Sequence, residues 1–167
     1  MIFMSQSGLT DASRASDWDA WYIEHLAIML TVPGISSAQR FQTLIPGYPP
    51  SLAMYSIASP TVFQDPYYLS VRGMGEWRSL IDERCYRRNL FEGLESAPDV
   101  PEGQLLVIAD RDAPDRAPIA LTWLKAVGLD RSTPYRGIAV TERAVADGLA
   151  GGAYGVYRPA TARSVQP

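Results

Sequence analysis

The chain has 167 residues, of which 47% are hydrophobic and 20% are charged, and this composition rules out a mainly disordered protein. Fifteen basic residues against 18 acidic ones give a net charge of −3, which makes a non-specific nucleic-acid binder a poor candidate. The single cysteine, Cys85, and the single histidine, His25, rule out an intrachain disulfide and any site that needs two histidine ligands from one chain.

The start of the chain carries no sign of targeting. Residues 1–7 lack the positive charge and the long apolar stretch of a secretory signal, and the apolar run at 26–30 is too short to span a bilayer. We therefore expect a cytoplasmic protein that has no membrane or nucleic-acid partner. Fourteen of the 15 basic residues are arginine, which indicates a GC-rich genome and a bacterial source.

The first 95 residues are predicted to form one β-α-β-β-α-β unit, the ferredoxin-like arrangement. Aromatic and apolar residues recur at helical spacing between Ser16 and Thr31, and Pro33-Gly34 ends that helix. The turn cluster at 46–50 separates two strands that we expect to pair as a hairpin. The predicted elements are, in chain order, a strand at 2–8, a helix at 16–31, strands at 35–44 and 52–58, a helical stretch at 60–83 and a strand at 86–94.

Residues 96–103 have the composition of a linker, and the segment after them is predicted to be a shortened second copy, β-α-β-β. The predicted domains are thus 1–95 and 104–158, followed by a loose tail at 159–167. Because a truncated copy covers the apolar sheet face incompletely, we expect a homodimer. The predicted elements of this copy are a strand at 105–109, a helix at 118–127 around Trp123, and strands at 135–141 and 152–157.

The segment Asp17-Trp18-Asp19-Ala20-Trp21-Tyr22-Ile23-Glu24-His25-Leu26, with Val32-Pro33-Gly34-Ile35 and Arg40 after it, resembles the EthD-like branch of the dimeric α/β-barrel superfamily. The run Asp65-Pro66-Tyr67-Tyr68 adds to the resemblance. It implies an α+β fold of the dimeric α/β-barrel type and a small-molecule substrate, often in the catabolism of aromatic compounds or in polyketide tailoring. The superfamily includes cyclases, dehydratases, isomerases, cofactor-free oxygenases and haem-handling proteins, so the resemblance leaves the reaction open.

His25 is the first candidate for catalysis, because an imidazole titrates near neutral pH and is the commonest general acid or base. Tyr22, one turn earlier, can donate a proton to a carbonyl or enolate oxygen. The alternative for both residues is packing, since a lone histidine or an aromatic residue on an apolar helical face is often part of the core. The candidates for substrate binding are Trp18, Trp21, Arg40, Tyr55 and Trp77. The alternative for the tryptophans is core packing. Arg40 and Gln42 alternate with Phe41, so the alternative for Arg40 is a solvent-exposed face of its strand.

Several functions remain open on these residues. The first is a cofactor-independent lyase or isomerase, a dehydratase for example, that moves a proton on a small, largely apolar oxygenated or aromatic substrate. The second is a cofactor-free oxygenase of phenols or quinols, the third a non-catalytic binding or assembly module, and the fourth haem handling through His25. Since the chain has no GxGxxG motif, no P-loop lysine and no metal-ligand spacing, we expect neither a cofactor nor a metal.

Overall fold

The computed structural model describes residues 1–149 and 153–166, and most of its regular structure is β-strand. The strands are β1 (Ile2–Ser7), β2 (Ile35–Thr43), β3 (Ser51–Ile57), β4 (Arg87–Glu92), β5 (Gln104–Arg111), β6 (Thr122–Leu129), β7 (Tyr135–Glu142), β8 (Gly155–Pro159) and β9 (Ser164–Val165). The α-helices are α1 (Ala15–Met29), α2 (Pro66–Val71) and α3 (Arg143–Asp147), and 3-10 turns cover Ala12–Arg14, Pro60–Gln64 and Gly75–Leu80.

Eight of the strands close into an antiparallel barrel. Around the barrel they follow the order β4-β1-β3-β2-β8-β5-β7-β6, and β6 pairs with β4 to close the ring. The first four strands follow the order β4-β1-β3-β2, and the next four follow the equivalent order β8-β5-β7-β6. The pairs β2–β8 and β4–β6 join these two halves. The short β9 pairs with β2 beside β8. Closure leaves none of these eight strands at an open edge, which removes the usual route to edge-to-edge aggregation.

The barrel interior is a packed core. Alternate residues of each strand point inward, because successive side chains of a strand lie on opposite faces. The inward side chains are mostly apolar, and they include Ile2, Met4, Phe41, Leu52, Met54, Phe91, Leu106, Ile108, Leu124 and Tyr157. Ala97 and Val100, from the segment predicted to be a linker, also belong to this core, and the backbone of Val100 is held by the side chain of Gln39. The segment therefore packs against one end of the barrel.

The outer face of β1, β3 and β4 carries a second core beneath the helices. The outward residues of these strands, among them Phe3, Tyr55 and Leu90, pack against the buried side of α1. Every residue of β1 and β3 is buried, because one face of each strand meets the lumen and the other meets the helical layer. A smaller cluster covers the outer face of the other half, where α3 packs on β5 and β7.

The expectation of an α+β, ferredoxin-like fold of the dimeric α/β-barrel type is wrong. The described chain is a mostly sheet protein built on a closed eight-stranded antiparallel barrel, and only α1 is a long helix. The second half contributes strands and the five-residue α3, since the stretch predicted to be a helix at 118–127 supplies β6 instead. Barrel closure explains this difference, because β6 fills the position between β4 and β7.

Two further expectations need correction. The single helical stretch predicted at 60–83 is divided into a 3-10 turn, α2 and a second 3-10 turn, with Gly73 at φ +106° between the last two. The tail predicted to be loose contains β9, and the backbone nitrogen of Arg40 donates to the Thr161 hydroxyl. The strand predicted at 152–157 corresponds to β8, and Gly152, the first residue of the predicted strand, lies outside the described residues. No helix in the described part of the chain combines the length and the apolar character needed to cross a bilayer.

Candidate functional site

A cleft of about 1040 Å³ lies between the outer face of the barrel and its helical layer. Its floor is formed by β1, β3 and β4, its walls by α1 and α2, and its rim by residues 72–83. A cleft of this size is large enough to hold a small organic molecule. The residues that line it and carry its chemistry are Ser5, Tyr22, His25, Tyr55, Tyr68, Tyr86 and Arg88.

One row of the sheet forms the centre of the floor. The strand register sets Arg88 of β4 opposite Ser5 of β1, Ser5 opposite Ala53 of β3, and Ala53 opposite Arg40 of β2. The two arginines thus lie at the ends of this row, with two small residues between them. The small side chains leave room for the Tyr22 ring, which approaches the floor from α1 and lies close to the Ser5 hydroxyl.

Helix α1 brings Tyr22 and His25 to the same wall of the cleft. They are three residues apart, so they share one side of the helix, and the ring centroids are 6.0 Å apart in an edge-to-face arrangement. The helix begins after a turn capped by Asp11, whose side chain accepts from the Ser13 nitrogen, and it ends before Gly34, which has a φ of +87°. The local sequence therefore fixes both ends of the element that carries the histidine.

The opposite wall is placed by α2. The Asp65 side chain accepts from the backbone nitrogens of Tyr67 and Tyr68, and Pro66 occupies the first helical turn, so this six-residue helix begins at a defined point. Tyr68 is then buried on the side that faces the cleft, whereas the exposed Tyr67 bonds through its hydroxyl to Thr31 at the end of α1. That bond connects the two helical walls.

Three phenols of the cleft, those of Tyr22, Tyr55 and Tyr68, stay protonated at neutral pH. Burial raises the pKa of Tyr22 to about 12, although the Arg40 guanidinium opposes the shift. Burial also raises the pKa of Tyr55 well above its ordinary value and raises that of Tyr68, against the charges of Arg88 and Arg72. Each of these side chains therefore carries a hydroxyl that can donate a hydrogen bond.

The imidazole of His25 is neutral across the physiological range, because burial lowers its pKa to about 4. It stacks on the Trp21 ring, with the centroids 4.6 Å apart and the planes inclined by 12°. Neither nitrogen has a hydrogen-bond partner among the described residues, although His25 lines the cleft. A neutral imidazole carries one donor and one acceptor nitrogen, so it can both give and take a proton.

The structure brings together only some of the residues predicted for the site. Tyr22, His25 and Tyr55 line the cleft. The predicted tryptophans lie beside it and pack against one another: Trp18 stacks on Trp21 with the centroids 4.8 Å apart, and its ring meets Trp77 at 5.2 Å. These contacts fasten α1 to the 3-10 turn that contains Trp77.

Arg40 points to the helical layer, as its alternation with Phe41 allowed, but it does not reach the cleft surface. Its guanidinium carbon lies 4.5 Å from the centre of the Tyr22 ring, and its nitrogens contact Asp19 at 2.6 Å and Ser51 at 3.1 Å. The side chain is buried, and these contacts engage its Nε and Nη2 atoms. Its place in the structure is to hold the Tyr22 ring and α1 against the sheet.

Sequence reasoning missed Tyr68, Tyr86, Arg88 and Ser5 as members of the cleft. Arg88 belongs to β4, which lies between β1 and β6, and its side chain is only partly exposed. A pattern that could have indicated it is the alternation of Arg88 with Leu90, which places both on the helical side of the strand.

Among residues 1–149 and 153–166, no three histidine, cysteine, aspartate or glutamate side chains come close enough together to hold a metal ion. Comparisons of the chain with protein-family models, with curated proteins and with solved structures give no match. The resemblance to the EthD-like branch therefore rests on the residues quoted for it, and the function has to be argued from the cleft.

Proposed function

We propose that the cleft binds a small, largely apolar oxygenated or aromatic molecule and that His25 moves a proton on it. The reaction class is a dehydration, elimination, isomerisation or cyclisation, and the shared step is the transfer of a proton at a carbon next to a carbonyl group. The observation that carries the proposal is the position of a neutral imidazole, without a hydrogen-bond partner among the described residues, on the wall of a cleft lined by protonated phenols.

The walls suit an aromatic or otherwise flat molecule. Phe3 and Tyr55 stack with their ring centroids 5.3 Å apart, and Tyr22 and Tyr68 add further ring surface on the two helical walls. Apolar surface that surrounds a few placed polar groups is the usual composition of a small-molecule site. Molecules without an extended charged chain therefore match the lining best.

The acid/base step needs a base and a donor. The acceptor nitrogen of His25 takes the proton from carbon, and the negative charge then develops on the substrate oxygen, where protonated phenols stabilise it by donating hydrogen bonds. We assign the second role to Tyr22, because it lines the same wall of the cleft one turn before His25. In an isomerisation or cyclisation the imidazole returns this proton to the product, and in a dehydration or elimination it gives the proton to the departing hydroxyl or other leaving group, so the protein is unchanged after one cycle.

A second candidate is a binding module without catalysis, and the low pKa of His25 favours it. A base whose pKa lies near 4 takes a proton less readily than one matched to neutral pH. In this alternative the imidazole packs on Trp21 and offers one hydrogen bond to the ligand. The two candidates share the cleft and differ only in whether bound molecules exchange a proton.

Deuterium exchange separates the two candidates. The protein is incubated in D₂O with small hydroxy-ketones, lactones, enols and phenols, and NMR records the entry of deuterium at carbon. The enzyme hypothesis predicts exchange or conversion by the wild type, its loss in His25→Gln, and its retention in Glu24→Gln, a control at the exposed neighbouring position of α1. Exchange that persists in His25→Gln would contradict the role of His25, and binding without exchange would favour the binding module.

A further inference from the structure

The two arginines that are buried in the described part of the chain, Arg136 and Arg40, are neutralised. Arg136 is fully buried in the barrel lumen, where it donates to both carboxylate oxygens of Asp110 at 2.7 and 2.8 Å and to Gln6 at 2.8 Å. Arg40 is buried beneath α1 and contacts the Asp19 carboxylate at 2.6 Å. Both follow the general rule that a buried charge is costly unless a counter-charge and hydrogen bonds accompany it.

Arg88 is partly buried and lacks such a counter-charge among the described residues. Its side chain leaves the outer face of β4, lines the floor of the cleft and lies against the Tyr86 ring, with 5.9 Å between the guanidinium carbon and the ring centre. Its Nε atom is buried and has no hydrogen-bond partner in the described part of the chain. Arg163 also has a buried Nε atom without a partner among the described residues, but it does not line the cleft. A partly buried cation whose counter-charge is missing faces the cleft.

The acidic residues around the cleft do not supply that counter-charge. Glu76 and Glu83 line the rim, and both are exposed. Arg72 and Arg78 also line the rim, so the cleft carries three permanent positive charges against two negative ones in a chain whose net charge is −3. This local excess of positive charge favours the entry of an anion.

We propose that the cleft takes a flat organic monoanion, an aromatic or enolic carboxylate, whose carboxylate is held by Arg88 and whose ring lies among the tyrosines. The inference rests on the proposed function and names the substrate class of the same site. A guanidinium can bind a carboxylate through two parallel hydrogen bonds, which fixes the orientation as well as the position of the ligand. Arg88 then binds the carboxylate, and His25, on the neighbouring wall, moves a proton on the rest of the ligand.

Paired probes test this inference by calorimetry. Cinnamate and cinnamamide have the same flat frame and differ in charge, and binding of each is measured with the wild type, Arg88→Gln, Arg88→Lys and Arg143→Gln. Arg143 is an exposed residue of α3, so its replacement removes the same charge away from the cleft. We expect cinnamate to bind the wild type and Arg143→Gln about tenfold to a hundredfold more tightly than cinnamamide, and Arg88→Gln to lose that preference.

Arg88→Lys keeps the charge but cannot form two parallel bonds, so an intermediate preference for cinnamate supports the inference. Thermal melting adds a readout that a structural role would change. Because Arg88 has no salt bridge and its Nε has no protein partner to lose among the described residues, we expect Arg88→Gln to melt only slightly below Arg143→Gln, by the loss of the contact with the Tyr86 ring. Equal affinity of the wild type for the two probes, binding of neither, or an unchanged preference in Arg88→Gln would overturn the inference.

Failure of the inference is distinguishable from failure of the proposed function. The calorimetric test depends on Arg88 and requires no turnover, whereas the deuterium test depends on His25 and includes uncharged molecules. If the wild type exchanges deuterium into neutral ketones but shows no preference for cinnamate, the anionic substrate class is contradicted and the acid/base activity is supported.

Discussion

Trp21 and His25 stack almost face to face, with ring centroids 4.6 Å apart and an interplanar angle of 12°. Trp21 stacks in turn on Trp18, so three rings follow one another along α1. The imidazole is partly buried in this stack, and its burial lowers its pKa to about 4. The predicted tryptophans therefore influence the site without lining it, since they set the environment of the one titratable base.

The first prediction concerns stability at acid pH. Because His25 has a lower pKa in the folded state than its ordinary 6.5, the unfolded chain takes up this proton first as the pH falls. The resulting loss of stability is absent above pH 6.5, grows between pH 6.5 and 4, and reaches up to about 3 kcal/mol below pH 4. Urea unfolding across this range should show a shallower acid loss for His25→Gln than for the wild type. Parallel pH profiles of the two proteins would contradict the lowered pKa.

The second prediction concerns Asp19, which pairs with the buried Arg40 at 2.6 Å. Asp19→Ala leaves that guanidinium with the Ser51 hydroxyl and the Tyr22 ring, so we expect a loss of about 1 to 3 kcal/mol in the free energy of unfolding. Asp17→Ala is the control on the same helix, because Asp17 and its partner Arg14 are both well exposed, and its loss should stay within about 0.5 kcal/mol. Chemical denaturation of the two variants measures the difference, and equal losses would show that the Arg40 pair contributes no more than a surface pair.

The third prediction concerns the polar network inside the barrel. Asp110→Ala removes the carboxylate that accepts two hydrogen bonds from the fully buried Arg136, and we expect it to cost about 3 kcal/mol. Arg136→Met should cost less, since an apolar side chain of similar length suits a lumen that contains Met4 and Phe91. The exposed Asp112→Ala is the control and should be close to neutral. A larger loss for Arg136→Met than for Asp110→Ala would contradict this order.

The fourth prediction concerns the segment that packs against one end of the barrel. Val100 is completely buried there, and truncation to alanine should cost about 2 kcal/mol through lost burial and the cavity left behind. Val165→Ala makes the same chemical change at a position that is 58% exposed, and it should cost less than about 0.5 kcal/mol. Equal melting temperatures for the two variants would mean that residues 96–103 form a loose linker after all.

The segment around Trp123 shows where sequence analysis reached its limit for the fold. Alanine, leucine and lysine favour a helix there, yet the segment forms β6, in which Leu124 points into the lumen and pairing continues with β4 and β7. Tertiary context overrides helix propensity in such a segment, because only a strand in this position can hydrogen-bond the facing backbone groups of β4 and β7. By contrast, α1, which ends at Met29 shortly before Pro33-Gly34, was predictable from local signals alone.

The candidate site divides in the same way. Tyr22 and His25 were found because helical spacing puts them on one face, and Tyr55 because it lies in a predicted strand that could reach the same cavity; the structure shows that its side chain is on the outward side of that strand. Tyr68 and Arg88 come from elements far along the chain, and their approach depends on the order of the strands, which spacing within one element does not reveal. The expected homodimer stays a prediction.

An NMR titration of the imidazole is the most direct test of the position of His25 in the cleft. His25 is the only histidine, so a protein labelled at histidine gives one imidazole signal without assignment. We predict that the imidazole titrates with a midpoint near pH 4, and that its signal shifts at neutral pH when cinnamate is added in molar excess. A titration midpoint near pH 6.5, together with a signal that does not shift when cinnamate is added, would place the imidazole in solvent and contradict its role in the cleft.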